Sequence, residues 1–453
     1  MLKMRRAAYS TAAKVDPRFF FDAAPGTLLP AQKSRVLFGR MQSEQLTVLA
    51  PTLMSKVLLV RDRDSGADKR SQYAQFLLQK ANIPCFMLTL QRDCATIDSI
   101  NYGRDYARRV GANGVVAFGG GNVMDTSRAI AALMFNEGNA EDLAAGPLPL
   151  AQKVAPLIVM PTVAGCGSEL STEALVLDEG AEAKLSFTKT PIVADAVIID
   201  PLLTVSVPLG VTAQGALTSM GQCIESFLAN QGNPKVDELC LNGIRAAAEA
   251  LATPLQDGKI HLNDIGFRER LSYASLCSSL VSLSTGFGAA HSLGIGVGGL
   301  SDSPHMQVCA AFIPLVITRY QTILADNQGD DHFDKLKMRL DAVQNILHVV
   351  TKFKTATLSD WFSQVGWHLV QLREYSASRL NIPDAHQLGF DDSLVQTIVD
   401  RATDRLEDCG NGASQDVTSV FEKTDLDTIM QGAVVAPPSA PPTIPPATPS
   451  VPV

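Results

Sequence analysis

Short apolar runs alternate with helix-length segments in the N-terminal half of the chain. Helical patterns cover 71–83 and 100–111, and each lies between two apolar runs. The runs are rich in Val, Ile and Leu and end at turn-forming residues; they occupy 55–62, 85–90, 114–120, 155–162 and 195–200. Buried strands separated by helical lengths indicate a parallel sheet that is covered by helices on both faces.

The pattern changes after 201–208. From there to about residue 435, stretches rich in Ala, Leu and Ser show helical periodicity, and clear strands stop. We therefore predict an α/β fold class. A Rossmann-like N-terminal domain with a parallel sheet should cover 30–205, and an all-helical C-terminal domain should cover 206–435.

The two ends of the chain do not follow either pattern. Residues 1–15 carry Lys3, Arg5, Arg6 and Lys14 and no acidic residue. This composition is typical of a mitochondrial targeting segment and predicts a matrix location, the alternative being a disordered basic terminus. Residues 436–453 are Pro-rich and of low complexity, so we expect an extended tail that either acts as a spacer or docks to a partner.

Composition argues against several classes of protein, among them nucleic-acid-binding, transmembrane and disulfide-rich proteins. The chain has 453 residues, of which 46% are hydrophobic and 19% charged, and a formal net charge of −8 without an extended basic patch. Nucleic-acid binding is therefore not expected. Apolar runs fall short of the roughly 20 residues that span a bilayer, so no transmembrane segment is expected. The eight Cys show no Cys-x-x-Cys spacing, which favours a reducing compartment over a disulfide framework or a structural zinc site.

Two turns rich in small residues follow predicted strands. The first, Gly119-Gly120-Gly121-Asn122, lies between a strand and a helix, where free backbone N–H groups favour a phosphate group. A plain tight turn is the alternative, because this is not the GxGxxG fingerprint. The second turn covers 161–169 and also follows a strand. Two such turns at the carboxyl ends of parallel strands would form one ligand-binding crevice.

Several long motifs in this order resemble those of the iron-type (group III) alcohol dehydrogenase family, over roughly 30–435. The segment GGGNVMDTSRAIA (119–131) resembles the family's GGGSxxDxAKxxA, and MPTVAGCGSEL (160–170) resembles PTTAGTGSE. ADAVIIDPLLTVSVP (194–208) resembles the boundary motif DPxLTxxxP, and RVLFG (35–39) resembles the first strand. The resemblance implies that the N-terminal domain binds a dinucleotide and that a cleft between the two domains holds NAD(P).

The resemblance also implies which residues face the cofactor. Residues 119–122 would face the pyrophosphate, while four further positions would line the rest of the cleft, namely Thr162, Cys166, Ser171 and Lys184. Asp62 ends the strand 55–62, where a carboxylate can accept hydrogen bonds from ribose hydroxyls and repel a 2′-phosphate. We therefore expect NAD(H) rather than NADP(H), although Asp62 would also serve simply to begin a turn.

The metal ligands of the family are mostly absent. The family carries Asp-Ala-Leu-x-His-x-x-Glu after the boundary, and alignment on Glu225 places Thr218 at the Asp and Gln222 at the His. Phe287 replaces the ligand of His-x-x-x-His, and only His305 of Pro-His-Gly is retained. One imidazole with two neutral oxygens supplies little charge for Zn or Fe. The family site is thus predicted to be degenerate, and no divalent metal is expected.

His291 is the remaining candidate for catalysis. It stands at the position of the family's cleft His that is not a ligand, and an imidazole there can hydrogen-bond a carbonyl or relay a proton. A structural role for His291 is the alternative.

Three hypotheses about function follow, so enzyme activity remains an open question at this stage. The first is a metal-independent, NAD-dependent oxidoreductase that acts on a small alcohol, aldehyde or hydroxy/keto acid. The second is a non-catalytic fold or subunit in a mitochondrial assembly that still binds NAD(H), with protein partners or a second copy of the chain. The third is a metal enzyme in which Glu225, Cys223 or another acid replaces the lost ligands. Drastic replacement at the metal positions beside conservative changes in the cofactor motifs favours the second.

Overall fold

The computed structural model describes residues 17–63, 65–145, 154–165, 167–187, 192–229, 232–257, 263–300, 304–352, 355–362, 392–410 and 423–434. The predictions for the basic segment 1–15, for Cys166 and for the tail 436–453 fall outside these ranges.

A seven-stranded sheet forms the centre of the N-terminal region. Its strands are β1 (Phe21–Ala23), β2 (Arg35–Phe38), β3 (Val57–Arg61), β4 (Cys85–Thr89), β5 (Gly114–Gly119), β6 (Leu157–Pro161) and β9 (Ala196–Ile199). Their order is β1-β2-β9-β6-β5-β3-β4, and every neighbouring pair is parallel except β1 with β2. A separate antiparallel pair joins β7 (Leu175–Asp178) and β8 (Ala183–Ser186).

Helices cover both faces of the sheet. They are α1 (Leu46–Leu53), α2 (Ser65–Lys80), α3 (Ile97–Val110), α4 (Gly121–Leu133) and α5 (Ala140–Ala145). Leu58 belongs to the core on the side of α3 and α4, whereas the next residue, Leu59, belongs to the core on the side of α1 and α2. Because successive side chains of a strand point to opposite faces, two covered faces require the continuous apolar runs that the sequence shows.

Local signals explain where α3 begins and ends. The Thr96 side chain accepts the amide of Ser99, whose hydroxyl in turn accepts the Thr96 amide, which is a capping box. Gly111 ends the helix in the left-handed conformation, with φ 67°, that glycine adopts at no steric cost.

The chain after Ile199 is helical within its described parts. The helices are α6 (Leu209–Ala229), α7 (Pro234–Asp257), α8 (Ile265–Thr285), α9 (Ala289–Gly296), α10 (His305–Asp326), α11 (Asp331–Thr351), α12 (Asp392–Gly410) and α13 (Lys423–Val434). The predicted fold class, a parallel-sheet region followed by a helical region, is confirmed.

One described helix, α10, is long and apolar enough to cross a membrane by length and composition alone. More than half of its most apolar window, 56%, is buried inside the protein. The core helix of a folded domain satisfies the same test, so this finding is weak evidence for a membrane span.

Candidate functional site

The carboxyl ends of three neighbouring strands bring the predicted cofactor residues together. Asp62 follows β3, and Gly120 follows β5. The backbone N–H of Gly120 donates to Oδ2 of Asp62 at 3.1 Å. The N–H of Thr162, which follows β6, donates to the carbonyl of Gly119 at 3.0 Å. Burial raises the pKa of Asp62, and hydrogen bonds from Gly120 and Asn122 oppose this rise. The three strand ends therefore share one edge of the sheet.

Glycine is needed where the first turn passes Asp62. A Cβ on Gly119 would lie 2.4 Å from Cγ2 of Val123 and 2.6 Å from the Asp62 carboxylate. The N-cap of α4 is Gly120, and no side chain caps the helix there. The side chain of Asn122 instead accepts the Val123 amide at 2.8 Å. An uncapped helix start with its dipole is a favourable place for an anionic group.

A buried arginine ties α4 to the second turn. Arg128 is fully buried, and its Nη1 donates to Asp125 at 3.1 Å. Its Nη2 donates to the carbonyl oxygens of Ser168 and Glu169. Burial raises the pKa of the Asp125 carboxyl, and the charge of Arg128 opposes the rise. Arg128 thus fixes the distance between the two turns that form the crevice.

The second turn is also fixed to the helical region. The buried carboxylate of Glu169 accepts hydrogen bonds from the hydroxyls of Ser275 and Ser279, both on α8. The Ser275 hydroxyl accepts the N–H of Gly165 at 2.7 Å. A Cβ on Gly165 would lie 2.1 Å from Cα of Gly215 on α6, so the two segments meet backbone to backbone. The wall of the crevice is therefore continuous with the helical region.

Ser171 and Lys184 occupy different environments. The Ser171 hydroxyl closes a local turn with the backbone of Glu173, at 3.1 Å to both the N–H and the carbonyl. The aliphatic part of the Lys184 side chain, on β8, packs closely against Gly298. A Cβ added to Gly298 would lie 2.4 Å from Cδ of Lys184. Burial lowers the pKa of the Lys184 ammonium. This cation lies near enough to His291 and His305 to lower the pKa of both, after the larger effect of burial.

The four family metal positions do not form a ligand set. The hydroxyl of Thr218 donates to the carbonyl of Met306 at 3.2 Å. The Gln222 amide is buried, and neither its oxygen nor its nitrogen has a hydrogen-bond partner among the described residues. The ring of Phe287, which has no donor atom, stacks on His291 with centroids 4.0 Å apart. One imidazole, a hydroxyl and a neutral amide do not fit a family-type Zn or Fe ion, which needs anionic or imidazole donors.

His305 instead contacts three residues of the helical region. Its Nδ1 lies 3.2 Å from the carbonyl of Gly294, and its Nε2 lies 3.4 Å from Nδ1 of His291 on α9. The thiol of Cys309, one turn further along α10, lies 3.5 Å from the same Nε2. Burial lowers the pKa of His291, lowers that of His305 to about 3 and raises that of Cys309 to about 12. The sequence predictions did not include Cys309, although its spacing of four residues from His305 on an apolar helix was a readable signal.

The proposed substitute ligands, Glu225 and Cys223, lie outside the group of three metal-binding atoms, and Oε2 of Glu225 is buried without a hydrogen-bond partner among the described residues. Glu225 accepts the N–H of Ala290 at the start of α9 at 3.3 Å, and burial raises its pKa to about 7. The sulfur of Cys223 faces α7, where a Cβ on Gly243 would lie 2.6 Å from it. Among the described residues, the group that brings three metal-binding atoms together is His291, His305 and Cys309, and it includes neither of them.

Comparison with known proteins extends over most of the chain. A family model described as iron-containing alcohol dehydrogenase matches 33–201, and a model for the C-terminal part of the same family matches 212–420. A choline dehydrogenase of Bacillus subtilis is 31% identical over 262 residues, which are 57% of this chain and 64% of that protein. The chain thus spans less than two thirds of that relative's length.

Solved structures show the same fold. An archaeal halo-thermophilic alcohol dehydrogenase from a Red Sea brine pool superposes with a TM-score of 0.71 at 19% identity, covering 91% of this chain and 98% of that one. A sulfoacetaldehyde reductase from Bifidobacterium kashiwanohense in complex with NAD+ superposes with a TM-score of 0.69 at 17% identity, covering 92% and 98%. At these identities the likeness concerns the fold alone.

Proposed function

Because the chain belongs to the iron-containing alcohol dehydrogenase family, we propose that it binds NAD(H) at the carboxyl edge of its parallel sheet. The observation that carries the proposal is the meeting of Asp62, Gly120 and Thr162 at three neighbouring strand ends. Open α/β sheets bind ligands at this edge. A structural neighbour, the sulfoacetaldehyde reductase, was solved with NAD+, which supports the choice of ligand.

Two parts of the dinucleotide, the pyrophosphate and a ribose, have chemical counterparts in the crevice. The uncapped start of α4 supplies backbone N–H groups for the pyrophosphate. The Gly120 amide orients the Asp62 carboxylate, which would accept from the ribose hydroxyls and repel a 2′-phosphate. Arg128 holds the second turn opposite the first, so the crevice is formed before the ligand arrives.

Calorimetric titration of the full chain with NADH and NADPH tests this proposal. We expect the parent to prefer NADH, and Asp62→Asn to reduce that preference at least about tenfold, which is about 1.4 kcal/mol. Asp331→Asn, which removes an exposed acid from the first turn of α11 in the helical region, is the matched control and should leave the preference unchanged. A parent protein that binds neither nucleotide would overturn the proposal.

We further propose that the protein is a non-catalytic fold or subunit in a mitochondrial assembly. Three of the four family metal positions, Thr218, Gln222 and Phe287, hold residues that cannot polarise a carbonyl as a metal ion does. The basic, acid-free segment 1–15 supports the location. A reporter fused to 1–15 should enter mitochondria, and purified protein should bind NADH without oxidising it in the presence of small aldehydes and keto acids.

An NAD-dependent oxidoreductase that works without the family metal positions is the second candidate. One observation favours it: Nε2 of buried His291 has no hydrogen-bond partner among the described residues, so an alcohol or carbonyl oxygen would satisfy it. The burial of His291 argues against this candidate, because it strongly lowers the pKa of the imidazole and so makes it a weak base. Turnover on an alcohol and aldehyde panel that disappears in His291→Ala, with NADH binding retained, would establish this candidate and overturn the non-catalytic one.

A further inference from the structure

We propose that His291, His305 and Cys309 bind one Zn²⁺ ion, at a donor set that shares only His305 with the four family metal positions. The site lies between the start of α10 and the neighbouring helix α9. It does not depend on the nucleotide proposal, because all three donors belong to the helical region and none belongs to the two turns.

Two of the three donor–donor distances match those around a zinc ion. Zinc lies about 2.0–2.1 Å from imidazole nitrogen and about 2.3 Å from thiolate sulfur, so a tetrahedral ion places two nitrogens about 3.3 Å apart and nitrogen and sulfur about 3.6 Å apart. Nδ1 of His291 and Nε2 of His305 are 3.4 Å apart. That Nε2 and the sulfur of Cys309 are 3.5 Å apart, and all three atoms lie within 4.8 Å of one another.

The surrounding groups orient the donors. The Gly294 carbonyl lies 3.2 Å from Nδ1 of His305 and can only accept a hydrogen bond, so this contact selects the Nδ1–H tautomer and leaves the lone pair of Nε2 directed at the cluster. This is the backbone contact that metal-bound imidazoles commonly make. The stacked ring of Phe287 supports the other imidazole, that of His291.

Space at the cluster depends on a glycine. A Cβ on Gly294 would lie 2.6 Å from the sulfur of Cys309 and 3.0 Å from Cε1 of His305. The absence of a side chain at this position therefore lets the thiol and the imidazole approach each other.

The donor chemistry selects the metal. Two imidazoles and one thiolate are borderline-soft ligands that suit zinc and do not suit magnesium or calcium. Three protein donors leave one tetrahedral position for a water or another oxygen ligand. Binding of the ion would release the thiol proton of Cys309, because sulfur coordinates a metal as the thiolate.

Metal analysis and cobalt substitution of the full chain test the inference. Protein stripped with a chelator and reloaded should bind one Zn²⁺ per chain, and the Co²⁺ form should show a thiolate-to-cobalt charge-transfer band. Cys309→Ser should lose the band and weaken metal binding at least about tenfold. Cys277→Ser, which changes another fully buried Cys, is the matched control and should keep both.

Two further results separate the inference from its alternatives. Gln222→Leu should leave zinc binding unchanged; if it abolishes binding while Cys309→Ser does not, the ion occupies the family position and the inference is wrong. Absence of stoichiometric zinc in the folded parent, judged by its circular dichroism, would also overturn it. NADH affinity should not change in Cys309→Ser, so failure of the metal site is distinguishable from failure of the nucleotide proposal.

Discussion

Replacing Arg128 by Met should destabilise the protein severely, although this residue touches no expected ligand directly. The Met side chain fills much of the same volume but loses the ion pair with Asp125 and the hydrogen bonds to the carbonyls of Ser168 and Glu169. Removing one partner of a buried ion pair costs about 3–5 kcal/mol. Total stabilities are about 5–15 kcal/mol, so the variant should unfold at a much lower urea concentration.

The double variant Asp125→Asn/Arg128→Met separates the ion pair from the other contacts. Once the cation is gone, Asp125 is buried without its partner, and replacing it by a neutral amide should recover part of the loss. We expect the two changes to be non-additive by more than about 1 kcal/mol in urea unfolding. The stability that the double variant does not recover measures the cost of leaving the Ser168 and Glu169 carbonyls without their hydrogen bonds.

The loss of unfolding free energy in Arg128→Met should also depend on pH. Without the cation, the pKa of Asp125 rises further above its unfolded value, because burial then loses the largest of the effects that oppose it, and the Leu175 backbone hydrogen bond and the Lys184 charge oppose it less. A group whose pKa is raised in the folded state stabilises that state below its unfolded pKa and loses this contribution as pH rises. The destabilisation should therefore be larger at pH 8 than at pH 6.

A surface pair supplies the control. Arg35 pairs with Asp22 through two hydrogen bonds on an exposed part of the sheet. Arg35→Met should cost less than about 1 kcal/mol. A loss of less than about 1 kcal/mol in Arg128→Met, or strict additivity in the double variant, would refute the reasoning that the buried pair holds the crevice together.

Three other predictions concern the second turn and buried groups of the helical region. In thermal unfolding, Gly165→Ala should cost at least about 3 kcal/mol, because φ is +117° and the new Cβ would lie 2.1 Å from the facing backbone, and it should also weaken NADH binding. Gly210→Ala, which places its Cβ in open space, is the control and should be neutral in the same assay. Glu225→Gln should gain stability relative to the parent as pH rises from about 5 to about 7, because Glu225 ionises first in the unfolded chain while burial keeps it protonated in the folded state up to its raised pKa of about 7. The gain should level off at higher pH, and an unchanged stability difference between about pH 5 and about pH 8 would contradict this. Ser275→Ala should cost about 1–3 kcal/mol in urea unfolding by removing a partner of buried Glu169, with no loss contradicting the role of that hydrogen bond.

Most of the fold was predictable because buried parallel strands have a strong apolar signal. The five predicted strand runs correspond to β3, β4, β5, β6 and β9, and the helix predicted at 71–83 lies at Ser65–Lys80. The hairpin of β7 and β8 was not predicted. Its residues are mostly only partly buried and alternate weakly, so tertiary contacts rather than local pattern define it.

The site was predictable only in part, because distance along the chain does not report distance in space. Motif resemblance predicted Thr218, Gln222 and Phe287 to be poor ligands, and the absence of a metal ion at these positions stays a prediction. The structure adds that Thr218 donates to the Met306 carbonyl, that the Gln222 amide is buried without a partner among the described residues and that Phe287 stacks on His291. Neither motif nor periodicity indicated that Cys309 would meet His291. That contact depends on the way α9 and α10 cross near Gly294.

The backbone contact between Gly165 and Gly215 implies that the shape of the crevice and its chemistry are lost at different rates during evolution. Neither position can gain a Cβ unless the second turn and α6 separate, so selection for folding alone keeps both glycines. A metal ligand, by contrast, can change to Thr, Gln or Phe while the fold survives. A descendant of such an enzyme would lose its ligands long before it loses the cleft, and that cleft then remains available for a new use.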